Sequence, residues 1–205
     1  MTRPRVMSAG VPLARADKAV IMLHGRGATA PDILTLTDHF EPSDLAYVAP
    51  QAPGNSWYPF SFLAPLDQNE PALSQALAMV GELIDGMAKD GITSERIVLL
   101  GFSQGGCLAL EYAARHARRY AAVIGLSAGL IGPEHTPRDY AGSLAGTPVF
   151  LGCGDMDDHI PLERVKVSTR VLRNLGGDVK ERIYRGIGHG INDDELHRVR
   201  SMLQA

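Results

Sequence analysis

Leu99 to Leu110 reads LLGFSQGGCLAL, and the fold turns on how its middle is understood. Ile97 to Leu100 is a short apolar run suited to a buried strand, and Gly105 to His116 has helical apolar spacing. Between them, glycines, a serine and a glutamine interrupt what would otherwise be continuous core. Gly101-Phe102-Ser103-Gln104-Gly105 matches G-x-S-x-G, the nucleophile elbow, directly after a strand and directly before a helix. A serine at the tip of so sharp a turn takes a strained backbone conformation, and the residues two before and two after it approach neighbouring chain closely. The Gln104 N–H, at the helix N-terminus, is then placed to stabilise an oxyanion beside Ser103.

Outward from this turn, apolar segments of strand length alternate with segments of helical period. Strands are expected at Val20 to Leu23, Leu45 to Val48, Ala121 to Leu126, Val149 to Leu151 and Val179 to Tyr184. Helices are expected at Asp32 to Phe40, Ala72 to Lys89, Leu162 to Leu175 and Asp193 to Leu203. The alternation predicts an α/β architecture, a mostly parallel central sheet with helices on both faces. Sites in such sheets gather at the carboxyl ends of strands. Two irregular stretches, Ala49 to Pro71 and Ala128 to Pro148, are too long for passive connectors and are expected to line something. No helical insertion interrupts Leu126 to Val149, so no separate cap domain is expected.

Composition bounds the function. With 205 residues, 45% hydrophobic and 21% charged, residues 1–205 read as one domain able to bury roughly 70% of its unfolded surface. A formal net charge of −3 without a basic run argues against nucleic acid. Cys107 and Cys153 lack CxxC spacing and lie in apolar surroundings, which suits reduced thiols and a cytoplasmic location. The N-terminus imitates a signal peptide, with Arg3 and Arg5 ahead of VMSAGVPLA, but Ser8, Gly10 and Pro12 break its apolar core, so export is not expected. No segment approaches the ~20 apolar residues of a spanning helix, and stable membrane insertion is not expected. No His or Cys cluster has metal-ligand spacing, and neither metal nor cofactor is expected. A homodimer is left open.

Gly125-Leu126-Ser127-Ala128-Gly129 repeats the G-x-S-x-G pattern after another strand. It runs into Leu130-Ile131-Gly132-Pro133, where glycine and proline oppose a helix, so Ser127 is read as a loop or packing serine. A nucleophilic serine needs a base, and the base an orienting acid. His189, in the glycine-flanked loop after the last strand, is the candidate base. The acid should follow the preceding strand, where Asp155, Asp157 and Asp158 all stand, and the order Ser, Asp, His is that of an α/β-hydrolase. Local chemistry alone does not choose among the three aspartates, since any of them can fix a turn or cap the next helix.

Together these residues resemble the phospholipase/carboxylesterase group of α/β-hydrolases, which includes acyl-protein thioesterases. The likeness rests on Leu23-His24-Gly25, Ala49-Pro50-Gln51-Ala52-Pro53, Ser56-Trp57-Tyr58, Gly101 to Gly106, Gly154-Asp155-Met156-Asp157 with Ile160-Pro161, and His189. The family pattern G-D-x-D-x-x-V-P implies Asp157 as the acid and a structural Asp155. It also implies a second oxyanion N–H from Arg26 and a bracing role for His24. Arg26 replaces the usual Leu, Asp158-His159 replaces Pro and an apolar residue, and Pro59 follows the Trp-Tyr pair; Trp57 to Pro65 looks more like the bacterial carboxylesterases. The chemistry implied is hydrolysis of a small-molecule ester through an acyl-enzyme, with short-chain carboxylic esters preferred and acyl-protein thioesterase or lysophospholipase activity as alternatives.

The acyl pocket is expected from Trp57, Phe60, Phe62, Leu63, Leu130, Ile131, Met156 and Ile191. Of the remaining histidines, His159 is expected near the site entrance and His39, His116, His135 and His197 on the surface. One rival comes from another class. Gly25-Arg26-Gly27-Ala28-Thr29-Ala30 fits G-x-G-x-x-A after a strand with Asp44 beyond it, the outline of a dinucleotide-binding oxidoreductase. Pro31-Asp32 delays the helix and Asp44 precedes its strand, both against that reading. A non-catalytic binding protein on a hydrolase scaffold has little support, because every triad position is filled.

Overall fold

The structure is a computed structural model that describes residues 5–40 and 44–205; Arg3, of the signal-like segment, lies outside them. Its strands are β1 (Val6–Gly10), β2 (Lys18–Leu23), β3 (Leu45–Pro50), β4 (Ile97–Phe102), β5 (Ala122–Leu126), β6 (Pro148–Gly154) and β7 (Asp178–Tyr184). They form one sheet in the order β1-β3-β2-β4-β5-β6-β7. β1 pairs antiparallel with β3, and every other pairing is parallel. The helices are α1 (Ala30–Leu34), α2 (Ala72–Lys89), α3 (Gln104–Arg115), α4 (Leu162–Asn174) and α5 (Asp193–Gln204).

Period-two alternation divides the strands between two cores. Ile21, Leu99, Val123 and Leu151 face α2, α3 and α4, while Met22, Leu100, Ile124 and Phe150 face α1 and α5. Central strands buried on both sides therefore read in sequence as unbroken apolar runs. Each buried aliphatic side chain contributes about 1.5–3 kcal/mol from area removed from water. This helical cover on both faces is an α/β-hydrolase architecture, and the 128–147 connection between β5 and β6 carries no helix, hence no cap.

Three local expectations are corrected. The signal-like segment contains β1, an edge strand whose half-exposed alternation lacks a full apolar run. The expected helix Asp32 to Phe40 is the short α1 followed by a 3₁₀ turn at Thr35–His39. Thr29 and Asp32 form a capping box and Pro31 lies in the first turn, so α1 starts at Ala30. With Asp44 just ahead of β3, at its amino end, the dinucleotide reading loses its geometry. Finally, the stretch Ala128 to Pro148 closes over structure and lines no part of the cleft described below. Glu111 on α3 accepts hydrogen bonds from the Ile131 N–H (3.0 Å) and the Tyr140 hydroxyl (3.0 Å) and pairs with Arg115 and Arg138. Buried Arg164 on α4 donates to the carbonyls of Leu130 and Gly132.

Candidate active site

Ser103 stands between β4 and α3 with φ 54° and ψ −121°, a backbone conformation L-residues rarely adopt. The flanking glycines are required by contact. A Cβ on Gly105 would lie 2.1 Å from the Leu23 carbonyl oxygen, and one on Gly101 would lie 2.3 Å from the Gly105 carbonyl carbon. Even alanine is excluded at both positions, a tighter limit than the motif alone suggests. The Ser103 N–H extends the parallel ladder to the Leu126 carbonyl at 2.9 Å, and its own carbonyl accepts the Cys107 N–H, opening the helix.

The loops after β6 and β7 bring a carboxylate and an imidazole toward the serine. His189 Nε2 lies 2.9 Å from Ser103 Oγ, and His189 Nδ1 lies 2.8 Å from Asp157 Oδ2. The other Asp157 oxygen accepts the N–H groups of His159 and Ile160, each at 2.9 Å. Burial pushes the Asp157 carboxyl up, but the bonds from His189, Ile160 and His159 outweigh it and hold the group below the usual carboxylate range. An ionised Asp157 keeps the imidazole proton on Nδ1 and leaves Nε2 to accept from the serine hydroxyl. Phe102 and His159 flank the imidazole, with ring centroids 5.0 and 4.6 Å away.

Asp155 does different work. Its Oδ1 accepts the Gly186 N–H at 2.6 Å, and the Met156 N–H donates to the Ile187 carbonyl at 3.0 Å, zipping the loop after β6 to the histidine loop. Asp158 is solvent-exposed and faces His159 at 3.6 Å. Ser127 is buried, and its hydroxyl donates to the Gly190 carbonyl at 3.2 Å. Cys107 and Cys153 are free and buried, while His39, His116, His135 and His197 are exposed.

Beside the serine, the N–H groups of Arg26 and Gln104 have no carbonyl or side-chain acceptor among the described residues. Both therefore remain available to a developing oxyanion. The Arg26 loop is held from behind by His24. The Ala52 N–H donates to its Nε2 at 3.1 Å, so Nδ1 carries the proton and donates to the Gly25 carbonyl at 2.8 Å. Burial lowers the His24 pKa, which favours this neutral form. The Gln104 side chain reaches the other way, accepting the Trp57 N–H at 3.0 Å and donating to the Tyr58 carbonyl at 2.8 Å.

A profile of the Phospholipase/Carboxylesterase family matches residues 4–205. The chain belongs to the phospholipase/carboxylesterase family. Within it, the chain is similar to a phospholipase/carboxylesterase of known structure from Dyadobacter fermentans, at 44% identity and a TM-score of 0.95, covering 98% of this chain and 97% of that one. It is 34% identical over 131 residues to acyl-protein thioesterase 1 of Gibberella zeae, a match spanning 60% of this chain and 53% of that protein. Carboxylesterase SOBER1 of Arabidopsis thaliana is 24% identical over 204 residues, 90% of this chain and 89% of that one.

In this phospholipase/carboxylesterase the serine opens into a cleft of about 620 Å³. Phe60 and Phe62 line it as expected, together with Tyr58, Phe102 and Ile160, which the sequence reading missed, and His159 stands at its edge. Six expected wall residues lie elsewhere. Trp57 is 2% exposed and turns its Nε1–H to the His24 carbonyl at 2.8 Å, a brace under the Arg26 loop. Leu130 and Ile131 are fully buried in the core, and Leu63 packs against the same cluster. Ile191 packs on the opposite core, and Met156 points outward, 69% exposed. Trp57 and Tyr58 are neighbours in a bend, the first turned to the His24 carbonyl and the second lining the cleft.

Glu195 lies in the first turn of α5. It is 1% exposed, caps α5 through the N–H of Asn192 at 2.9 Å, and leaves Oε1 without a partner. Burial pushes its pKa up to about 7. A capping-box glutamate three residues after Asn192 is the only sequence signal for it. No helix among the described residues is long and apolar enough to cross a membrane.

Proposed function

We propose that the protein is a serine carboxylesterase acting on small esters with short acyl chains through an acyl-enzyme. Family membership and the carboxylesterase-named relatives support ester hydrolysis in general. The observation that carries the serine mechanism is the continuous relay from Asp157 through His189 to Ser103 at hydrogen-bond distances. Ser103 Oγ attacks the ester carbonyl as His189 Nε2 takes its proton, Asp157 stabilises the resulting imidazolium, and the Arg26 and Gln104 N–H groups receive the oxyanion. His189 returns the proton to the leaving alcohol, and water releases the acid by the same steps in reverse roles.

The short-chain preference is supported by the walls. With Leu130, Ile131, Met156 and Ile191 turned away, apolar cover comes from Tyr58, Phe60, Phe62, Phe102 and Ile160, a trough at the carboxyl ends of the central strands. Each methylene that finds wall is worth about 0.8 kcal/mol, and one that does not adds nothing. Across p-nitrophenyl esters of C2 to C18 acids at sub-KM concentration, kcat/KM should rise over the first few methylenes and then level or fall. A steady climb to the palmitoyl ester, or faster turnover of a palmitoyl thioester than of a butyryl ester, would replace this reading with a long-chain thioesterase. Absence of turnover on every ester and thioester, with no fluorophosphonate label on Ser103, would remove the hydrolase mechanism itself.

A further inference from the structure

The cleft wall carries a fixed positive charge with no ion-pair partner among the described residues. Arg26 is exposed at the cleft, and its guanidinium is pinned by neutral acceptors only: Nη1 donates to Ser56 Oγ at 3.0 Å and the Pro59 carbonyl at 2.8 Å, and Nη2 to the Phe60 carbonyl. The Tyr58 ring lies beneath it, 5.9 Å from Cζ. Among the described residues Arg26 makes no ion pair, and no aspartate or glutamate lines the cleft. The nearby carboxylates are committed elsewhere, Asp157 to His189 and backbone N–H groups, and Asp158 toward His159. In a chain with 23 acidic and 20 basic residues, an unneutralised cation beside the reacting serine is against the overall balance.

The donor count makes the site specific. A guanidinium has five N–H donors, and the three bonds above leave the Nε–H and one Nη2–H without an acceptor. Nε and Nη2 share one edge of the planar fork, the geometry that takes a carboxylate through two parallel hydrogen bonds. The fork is already held in place by the loop carbonyls, so a ligand does not have to immobilise a free arginine side chain. From these observations we propose that the cleft selects esters bearing a carboxylate a few bonds from the scissile carbonyl, with Arg26 as the anion-binding residue. This rests on the esterase reading and names its substrate class.

The carboxylate can sit in the acyl chain or in the leaving group, and two matched pairs distinguish them. One pair is the p-nitrophenyl monoester of adipic acid and its terminal amide. The other is meta-acetoxybenzoate and meta-acetoxybenzamide. Binding is read by calorimetry on the Ser103→Ala protein, where turnover does not intervene, and kcat/KM is read on the wild type. In at least one pair the carboxylate should be favoured about tenfold over the neutral amide, as a charge-assisted bidentate contact allows. That ratio should fall to about one in Arg26→Gln, whatever the change does to the loop, because loop disturbance acts on both members of a pair. Arg26→Lys should keep part of the preference, since it restores the charge but not the fork. Equal or tighter binding of the amide in both pairs, or a carboxylate preference that survives Arg26→Gln, overturns the proposal. Because the binding arm needs no chemistry, that result is separate from failure of the wild type to hydrolyse the amide esters, which would count against the esterase reading.

Discussion

The chain contains two G-x-S-x-G turns on adjacent parallel strands, and they differ instructively. Ser103 follows β4 and Ser127 follows β5, with Phe102 and Leu126 in register. Both serines have positive φ, 54° and 44°, and both extend the ladder by one bond, Ser103 to Leu126 and Ser127 to Gly152. Backbone strain therefore does not distinguish the two serines. What separates them is the continuation of the chain. α3 starts at Gln104, so Ser103 has helix N–H groups beside it and a cleft above it. After Ser127 the chain turns into the packed loop tied to Glu111 and Arg164, and its hydroxyl is buried against the Gly190 carbonyl. One serine faces His189 from the cleft; the other supports the loop that carries His189.

The largest effect should come from exchanging the two hydroxyls for hydrogen. Ser103→Ala should lower kcat by roughly 10⁴ to 10⁶, and a fluorophosphonate should label Ser103 alone. Ser127→Ala loses one hydrogen bond of about 0.5–1.5 kcal/mol and should keep activity within a few-fold. A label on Ser127, or an active Ser103→Ala protein confirmed by peptide mass, would invert the comparison.

The aspartates split in the same way. Asp157→Asn preserves shape but favours the imidazole tautomer with its proton on Nε2, and kcat should fall on the order of 10⁴. Asp155→Asn weakens the bond to the Gly186 N–H and should lower stability by about 1–2 kcal/mol, with kcat little changed. Steady-state kinetics and urea unfolding on both variants check this. If Asp158→Asn is the inactive variant, the register of the acid is wrong.

These contrasts show what a sequence can and cannot display. The central strands were legible because a strand buried on both faces is an unbroken apolar run, and Ser103 and the three aspartates were legible as candidates because they stand just beyond such runs. His189 follows the half-polar edge strand β7 and was marked by its glycine-flanked loop, and the choice of Asp157 among the aspartates rested on the family pattern. β1 was not, because an edge strand with one wet face shows only weak alternation. The cleft walls were least legible. Whether Trp57 or Tyr58 lines the cleft depends on bonds from Gln104, 46 or 47 residues away in sequence, and no local pattern encodes that partner. The same holds for Leu130 and Ile131, which are drawn inward by Ser168, Glu111 and Arg164.

The support behind His189 also titrates. Glu195 fixes the start of α5, two residues after the Gly190 carbonyl that Ser127 holds. Its folded pKa, raised from 4.5 to about 7, means that the folded state holds the proton more tightly than the unfolded chain. The stabilisation is complete below the unfolded pKa and is lost as pH rises through the folded one. Relative to Glu195→Gln, which keeps the acceptor for the Asn192 N–H and cannot ionise, the wild type should lose roughly 2 kcal/mol of stability between pH 5 and pH 8. Urea unfolding of both proteins at the two pH values measures it. A pH-independent difference would show that Glu195 is ionised throughout, with water satisfying Oε1.

The smallest expected effect bears most directly on the two turns. A non-glycine residue at positive φ costs on the order of 1–3 kcal/mol, and glycine removes that cost while adding about 0.5–1 kcal/mol of backbone entropy loss on folding. Ser103, with ψ at −121°, lies outside the ordinary left-handed well, so Ser103→Gly should stabilise the protein by about 1 kcal/mol even as it abolishes turnover. Ser127→Gly relieves a similar φ but gives up the bond to the Gly190 carbonyl, so its net change should lie within about 0.5 kcal/mol of zero. Equilibrium unfolding at one pH, with both variants made in the same background, resolves the order. If Ser127→Gly is the more stabilised of the two, the strain is greater at the supporting turn, and the conformation of Ser103 is less costly than its backbone angles imply.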